Sequence, residues 1–108
     1  MKSMETIKLG GRMVAQPHDL IALKADMNYT TIIFRNGTRK IVATTLKKLE
    51  QRLEPFGFYR THKNAMVNVD DVKGLVRRGN CVSVTLKNKQ QFEVSRRRLE
   101  ALEVLLQK

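Results

Sequence analysis

Ser95-Arg96-Arg97-Arg98 opens the segment SRRRLEALEVLLQK, in which leucines recur at helical spacing. Serine is a favoured N-cap, so the three arginines fall in the first turn of a helix. That turn carries positive partial charge and prefers acidic residues. A capping box would place Glu or Gln at position 98, where the chain has Arg98. A solvated arginine run is the bland account. Free backbone N–H groups, a helix dipole and guanidinium forks in one place nevertheless make a phosphate receptor. No acid in that turn offsets the charge, which favours the phosphate account.

A second donor group is RTHKN at 60–64. In an extended segment Arg60, His62 and Asn64 point one way, and Thr61, Lys63 and Ala65 the other. Arginine and lysine read guanine edges, and asparagine reads adenine. A turn could satisfy His62 and Asn64 locally, but so many donors in five residues suit a ligand better. The third group is Asp26-Met27-Asn28-Tyr29, a polar loop before a strand.

Catalysis fits poorly. Asp70 and Asp71 are adjacent, so an extended chain turns them to opposite faces. Ser95, His62 and an aspartate make a triad only on paper, with no nucleophile-elbow sequence to support it. One cysteine and two separated histidines do not make a zinc site. No catalytic residue, metal or cofactor is expected.

With 21 Lys+Arg against 10 Asp+Glu, the net charge of +11 implies a polyanionic partner. Single-stranded RNA, bound by a small β-type module, is the main alternative. It would need a platform of exposed aromatics. There is no Trp, and the four Phe suit a core. Membrane-surface binding would need a basic amphipathic helix, whereas the last helix exposes Glu100 and Glu103. Double-stranded DNA is the expected partner, with no membrane. The lone Cys81, read as a core residue of a strand, makes no internal disulfide. No apolar run approaches the ~20 residues of a membrane span, and the start lacks a signal peptide's apolar middle. A cytoplasmic setting is expected.

The elements that must hold these groups are mostly strands. Residues 5–9 and 12–15 form a first hairpin about Gly10-Gly11, and 17–19 a corner. Leu20-Ile21-Ala22-Leu23 suits a buried strand. Residues 29–35 and 38–43 flank Asn36-Gly37, the signature of a two-residue type I′ turn. Leu46, Leu49 and Leu53 mark a short helix capped by Thr44 or Thr45 and stopped by Pro55 and Gly57. Residues 58–67 return to extended structure before a turn at 68–71. Strands at 72–76 and 81–86 flank the basic turn 77–80, and 90–94 leads into the last helix, whose buried stripe is Leu99, Leu102 and Leu105 or Leu106. The expectation is one domain over 1–108, with residues 1–4 a candidate disordered stretch.

The order Phe58-x-Arg60-x-His62-Lys63-Asn64-x-x-Val67-Asn68, followed by Val94-Ser95-Arg96, resembles the LytTR family of bacterial DNA-binding domains. The Asp19–Leu23 run, the Tyr-Thr start of the next strand and TLKKLEQRL fit as well. The resemblance implies a mostly β fold, an elongated stack of small antiparallel sheets with one internal short helix and a C-terminal helix. Loops at one edge and the head of the last helix would enter the grooves of duplex DNA. By position it implies base reading by Asn28, Tyr29, Lys63 and Arg97. Phosphates would fall to Arg60, His62, Asn64, Ser95, Arg96 and Arg98. The implied role is sequence-specific binding by a bacterial transcriptional regulator, a response-regulator output domain of two-component systems, with a second copy on repeated half-sites. Relatives usually place Ser and an aromatic where this chain has Asn64 and Ala65. Many also carry an upstream receiver or sensor domain.

Overall fold

Leu20-Ile21-Ala22-Leu23 can be apolar without interruption because its strand is covered on both faces. The computed structural model describes residues 5–107, so the expectation for residues 1–4 lies outside the described residues. A five-stranded antiparallel sheet contains β3 (Leu20–Asp26), β4 (Tyr29–Phe34), β5 (Arg39–Val42), β6 (Phe58–His62) and β7 (Ala65–Asn68). Its order is β5-β4-β3-β7-β6, which puts β3 in the centre. A register shift between Leu20 and Ala22 bulges β3 at Ile21. Leu20 and Leu23 therefore join one apolar cluster, while Ile21 and Ala22 join the other.

The first cluster lies under α1 (Leu46–Leu53) and the hairpin of β1 (Ile7–Gly10) and β2 (Met13–Ala15). Gly10 has no room for a side chain: a Cβ there would stand 2.6 Å from Thr44 Oγ1. Thr45, not Thr44, caps α1, its hydroxyl accepting from Lys48 N–H at 3.3 Å. The second cluster lies under a three-stranded sheet of β8 (Val72–Arg78), β9 (Cys81–Leu86) and β10 (Gln91–Val94), and under α2 (Arg96–Leu106). Leu102 of α2 is fully buried there. The extents of 42 × 37 × 23 Å describe a stack wider than it is thick. The mostly β architecture with two helices is as expected.

Four local expectations are corrected. The Asn36-Gly37 hairpin is not type I′, since Asn36 is not among the residues with positive φ. Gly37 N–H donates to Phe34 O at 3.0 Å, Phe34 N–H to Thr38 O at 2.8 Å, and Gly37 has φ +92°. That is a type I turn followed by a left-handed glycine, the longer hairpin loop. Asn36 Oδ1 accepts from Thr38 N–H at 2.9 Å, a bond that holds its backbone out of the left-handed region. Residues 58–67 are two strands, because the chain reverses at Lys63-Asn64. The basic turn at 77–80 shrinks to Gly79-Asn80, with Arg77 and Arg78 paired in β8. Cys81 is exposed, because it opens β9 beside that turn, where neither sheet face is covered.

At the end of the sheet that carries the β4–β5 turn, Arg35 locks three segments together. Its Nη1 and Nη2 grip the Asp71 carboxylate, Nη2 at 3.0 Å, while Nε and Nη2 donate to His18 O at 2.9 and 2.7 Å. Asp71 raises the Arg35 guanidinium above its ordinary value, against a smaller loss from burial. Asp71 is 4% exposed, so Arg35→Ala strands a buried carboxylate. Discounted for the half-exposed guanidinium, the expected loss is about 2 kcal/mol, read as a lower urea midpoint at unchanged m-value. An unchanged midpoint would deny the clamp any energetic role.

Candidate nucleic-acid interface

In an antiparallel sheet, neighbouring strands end where their partners begin. The order β5-β4-β3-β7-β6 therefore sends the β3–β4 turn, the β6–β7 turn and the exit from β5 to one end of the sheet. The β3–β4 turn is Met27-Asn28, closed by the Asp26–Tyr29 pair. The β6–β7 turn is Lys63-Asn64, and Asn64 O accepts from Ala25 N–H at 2.8 Å, tying the two turns side by side. The chain leaves β5 through Thr44, whose carbonyl accepts from Thr30 Oγ1 at 2.8 Å, and enters α1.

The head of α2 joins this end through a bulge. Arg60 pairs with Met66 and His62 with Ala65, leaving Thr61 as the extra residue in β6. Thr61 is 0% exposed, and its carbonyl accepts from Ser95 N–H at 2.8 Å. Two further bonds repeat the junction: Tyr59 Oη donates to Arg98 O at 2.7 Å, and Arg98 Nη1 to Arg60 O at 3.3 Å. The bulge also breaks the alternation expected of residues 60–64.

All ten anticipated site residues lie at this end, but they are not equally free. Asn28, Tyr29, Lys63, Asn64, Arg96 and Arg97 are exposed. Tyr29, at 57% exposed, does not pack into the core as an aromatic at a strand start often does. His62 is half-buried, and its Nδ1 accepts from Asn64 N–H at 3.3 Å. In the neutral ring that bond places the proton on Nε2, facing away from the turn. Arg60 is engaged internally, with Nη1 to Glu50 Oε1 at 3.0 Å and Nη2 to Lys63 O at 2.6 Å. It braces the Lys63 turn against α1. Arg98 is likewise held by β6. Ser95 occupies the N-cap position, but its side chain makes no capping bond, because Arg98 N–H is taken by Ser95 O at 3.0 Å. The expected hydroxyl cap is corrected accordingly.

Sequence reading missed Lys47 and Lys48, exposed in the first turn of α1, a turn that contains no acid. The signal was present: a helix that directly follows β5 starts where β4 starts, hence beside Met27-Asn28. Acids gather at the opposite end of the sheet, where Arg35 feels Asp71, Asp19 and Asp70.

Among the described residues no group of His, Cys, Asp or Glu is arranged to hold a metal. No helix among them is long and apolar enough to cross a membrane. The family model for the LytTr DNA-binding domain matches residues 10–107. The chain therefore belongs to the LytTr DNA-binding domain family, whose members are non-catalytic DNA-binding output domains of bacterial response regulators. It shares its fold with the LytTr DNA-binding domain of a Bacillus cereus protein described as a methyl-accepting/DNA response regulator. The TM-score is 0.76 at 21% identity, over 98% of this chain and 98% of that one. No curated protein sequence matches the chain.

Bracing and contact separate by mutation. Arg60→Ala should lower both stability, by about 1–2 kcal/mol, and affinity for duplex DNA. Lys63→Ala should lower affinity alone. Thermal melting beside a binding titration checks this, and a stable, weak-binding Arg60→Ala protein would return Arg60 to the DNA contacts. Burial raises the Tyr59 phenol above its ordinary value, offset in part by Arg98 and reinforced by Glu50. The resulting stability is whole below about pH 10 and falls away as pH climbs through the raised value. In Tyr29→Phe, Tyr59 is the remaining phenol. Its absorbance titration should lie above the ordinary range, and a midpoint at or below it would contradict the burial of the Tyr59 phenol.

Proposed function

We propose that this end of the central sheet is the face that meets double-stranded DNA, and that it reads sequence there for a bacterial transcription regulator working in the cytoplasm. The observation that carries the reading is the meeting of the β3–β4 turn, the β6–β7 turn and the α2 head at one sheet end, held by the Ala25–Asn64 and Ser95–Thr61 bonds. Asn28, Tyr29, Lys63 and Arg97 are the groups free to reach base edges. Arg96, Asn64 and the Nε2 side of His62 are suited to phosphates, which set register without carrying sequence. Lys47 and Lys48 add to the phosphate field. Arg60, Arg98 and Ser95, also expected at phosphates, serve chiefly to position their neighbours, since Arg60 and Arg98 are already bonded and the Ser95 hydroxyl is buried.

Single-stranded RNA is less well served. Tyr29 is the exposed aromatic among the described residues, and one ring is no stacking platform. A second copy on a repeated half-site, with some bending of the DNA between them, fits a small reading head whose contacts cover few base pairs.

Arg97→Ala should cost about 1–3 kcal/mol on the preferred site and relax choice at one base pair. An equal loss on random duplex would make Arg97 a phosphate clamp. Arg96→Ala should weaken binding to every sequence and shallow the log K against log salt slope by about one. An unchanged slope would remove it from the phosphates. Duplex, single-stranded DNA and RNA of one sequence, compared at several salt concentrations, test the partner class.

A further inference from the structure

Met27 breaks two local preferences at once. It is 95% exposed, the highest exposure among the large apolar residues described. Its φ of +54° also lies in the left-handed region, which side chains other than Asn, Asp and Gly seldom adopt. Asp26 and Tyr29 pair directly across it, and Asn28 is not among the positive-φ residues. A positive φ at only the first of two linking residues is the II′ hairpin turn, where glycine is the usual occupant. Glycine would remove the strain and the exposed apolar surface together. Exposure and strain at one residue together point to a contact outside this chain.

Its position says what that something is. The last bond between β3 and the β6–β7 hairpin is Ala25 N–H to Asn64 O. Beyond it stands the tip of the β3–β4 hairpin, the single Asp26–Tyr29 pair and the two turn residues, at about 3.3 Å per residue. The major groove of B-DNA, about 12 Å wide, admits a two-stranded ribbon. The one apolar group it displays is the thymine 5-methyl. We propose that Met27 is a specificity-determining residue, its thioether end packing on a thymine methyl in the major groove while Asn28 and Lys63 take polar edges beside it. The inference rests on the DNA-binding face proposed above.

The probe is a duplex selected from a random-sequence pool by this chain, then remade with each thymine in turn replaced by dU. That exchange deletes the methyl and keeps every hydrogen-bonding group. At one position the wild-type chain should lose about fourfold in affinity, the worth of one buried methyl. Met27→Gly should melt no lower than wild type, bind the thymine duplex about fourfold or more weakly, and show no further loss on the dU duplex. Such non-additivity supports the contact. Indifference of the wild type to every replacement overturns it, as does an equal loss from Met27→Gly on thymine and dU duplexes, which would reduce Met27 to a general wedge. Failure of the wild-type chain to enrich any duplex would overturn the DNA-binding face as well.

Discussion

The hydrogen bond from Ser95 N–H to the Thr61 carbonyl joins parts that the topology otherwise leaves separate. β6 ends the central sheet, while α2 follows β10 of the smaller sheet and packs its Leu102 into the second core. In an unbroken ladder the carbonyls of β6 would pair with β7 or face outward in strict alternation. The bulge supplies an extra residue whose carbonyl is released from that pattern, and the first turn of a helix supplies N–H groups that need acceptors. Each feature answers the deficit of the other. The consequence is positional: the head of α2 is set beside the Lys63-Asn64 turn by a backbone bond that the Tyr59–Arg98 and Arg98–Arg60 bonds reinforce.

The arginines then divide according to what the backbone leaves them. A guanidinium has five donors in a fixed fork, so it can span several acceptors at once. Arg60 uses its fork on Glu50 and the Lys63 carbonyl, and Arg98 bonds the Arg60 carbonyl. Arg96 and Arg97, one and two residues past the cap, are turned to solvent. Among the described residues, the buried side-chain nitrogens and oxygens without partners are Arg60 Nε, Thr61 Oγ1 and Ser95 Oγ, all from this junction. Unsatisfied buried groups are few in native proteins, and their gathering at one place marks where position has been favoured over local stability.

Sequence was a good guide wherever a local pattern had one structural outcome. The leucine spacing of α1, the doubly buried run at β3 and the start of α2 are of this kind. It was a poorer guide where the outcome depends on which residue pairs across a turn. Asn36-Gly37 fits both a two-residue and a longer hairpin loop, and the choice falls to Phe34 bonding Thr38, which no local rule specifies. The bulge at Thr61 exists because α2, more than thirty residues on, comes back to occupy its carbonyl. Cys81 looked like core by type, and only the position of the β8–β9 turn exposes it. The donor groups themselves were legible as composition. That Arg60 and Arg98 would be spent inside the protein was not, because sequence shows that a donor is present without showing whether it is already bonded.

The same limit explains the charge. A net +11 says that an anion is wanted, and placement says where. At physiological ionic strength the screening length is about 8 Å, so cations spread evenly over the surface would hardly feel each other. Those at the turns of one sheet end, and at the two helix heads beside them, are instead gathered on one face by the Ala25–Asn64 and Ser95–Thr61 bonds. Such gathering destabilises the free protein, and a phosphate backbone relieves it by replacing mutual repulsion with attraction and by releasing its own condensed counterions. The strain in placing like charges together is therefore recovered only on an extended polyanion presented at that face. A mobile small anion would neutralise one group and leave the others, whereas a duplex carries a negative charge about every 1.7 Å of its length and can answer them together.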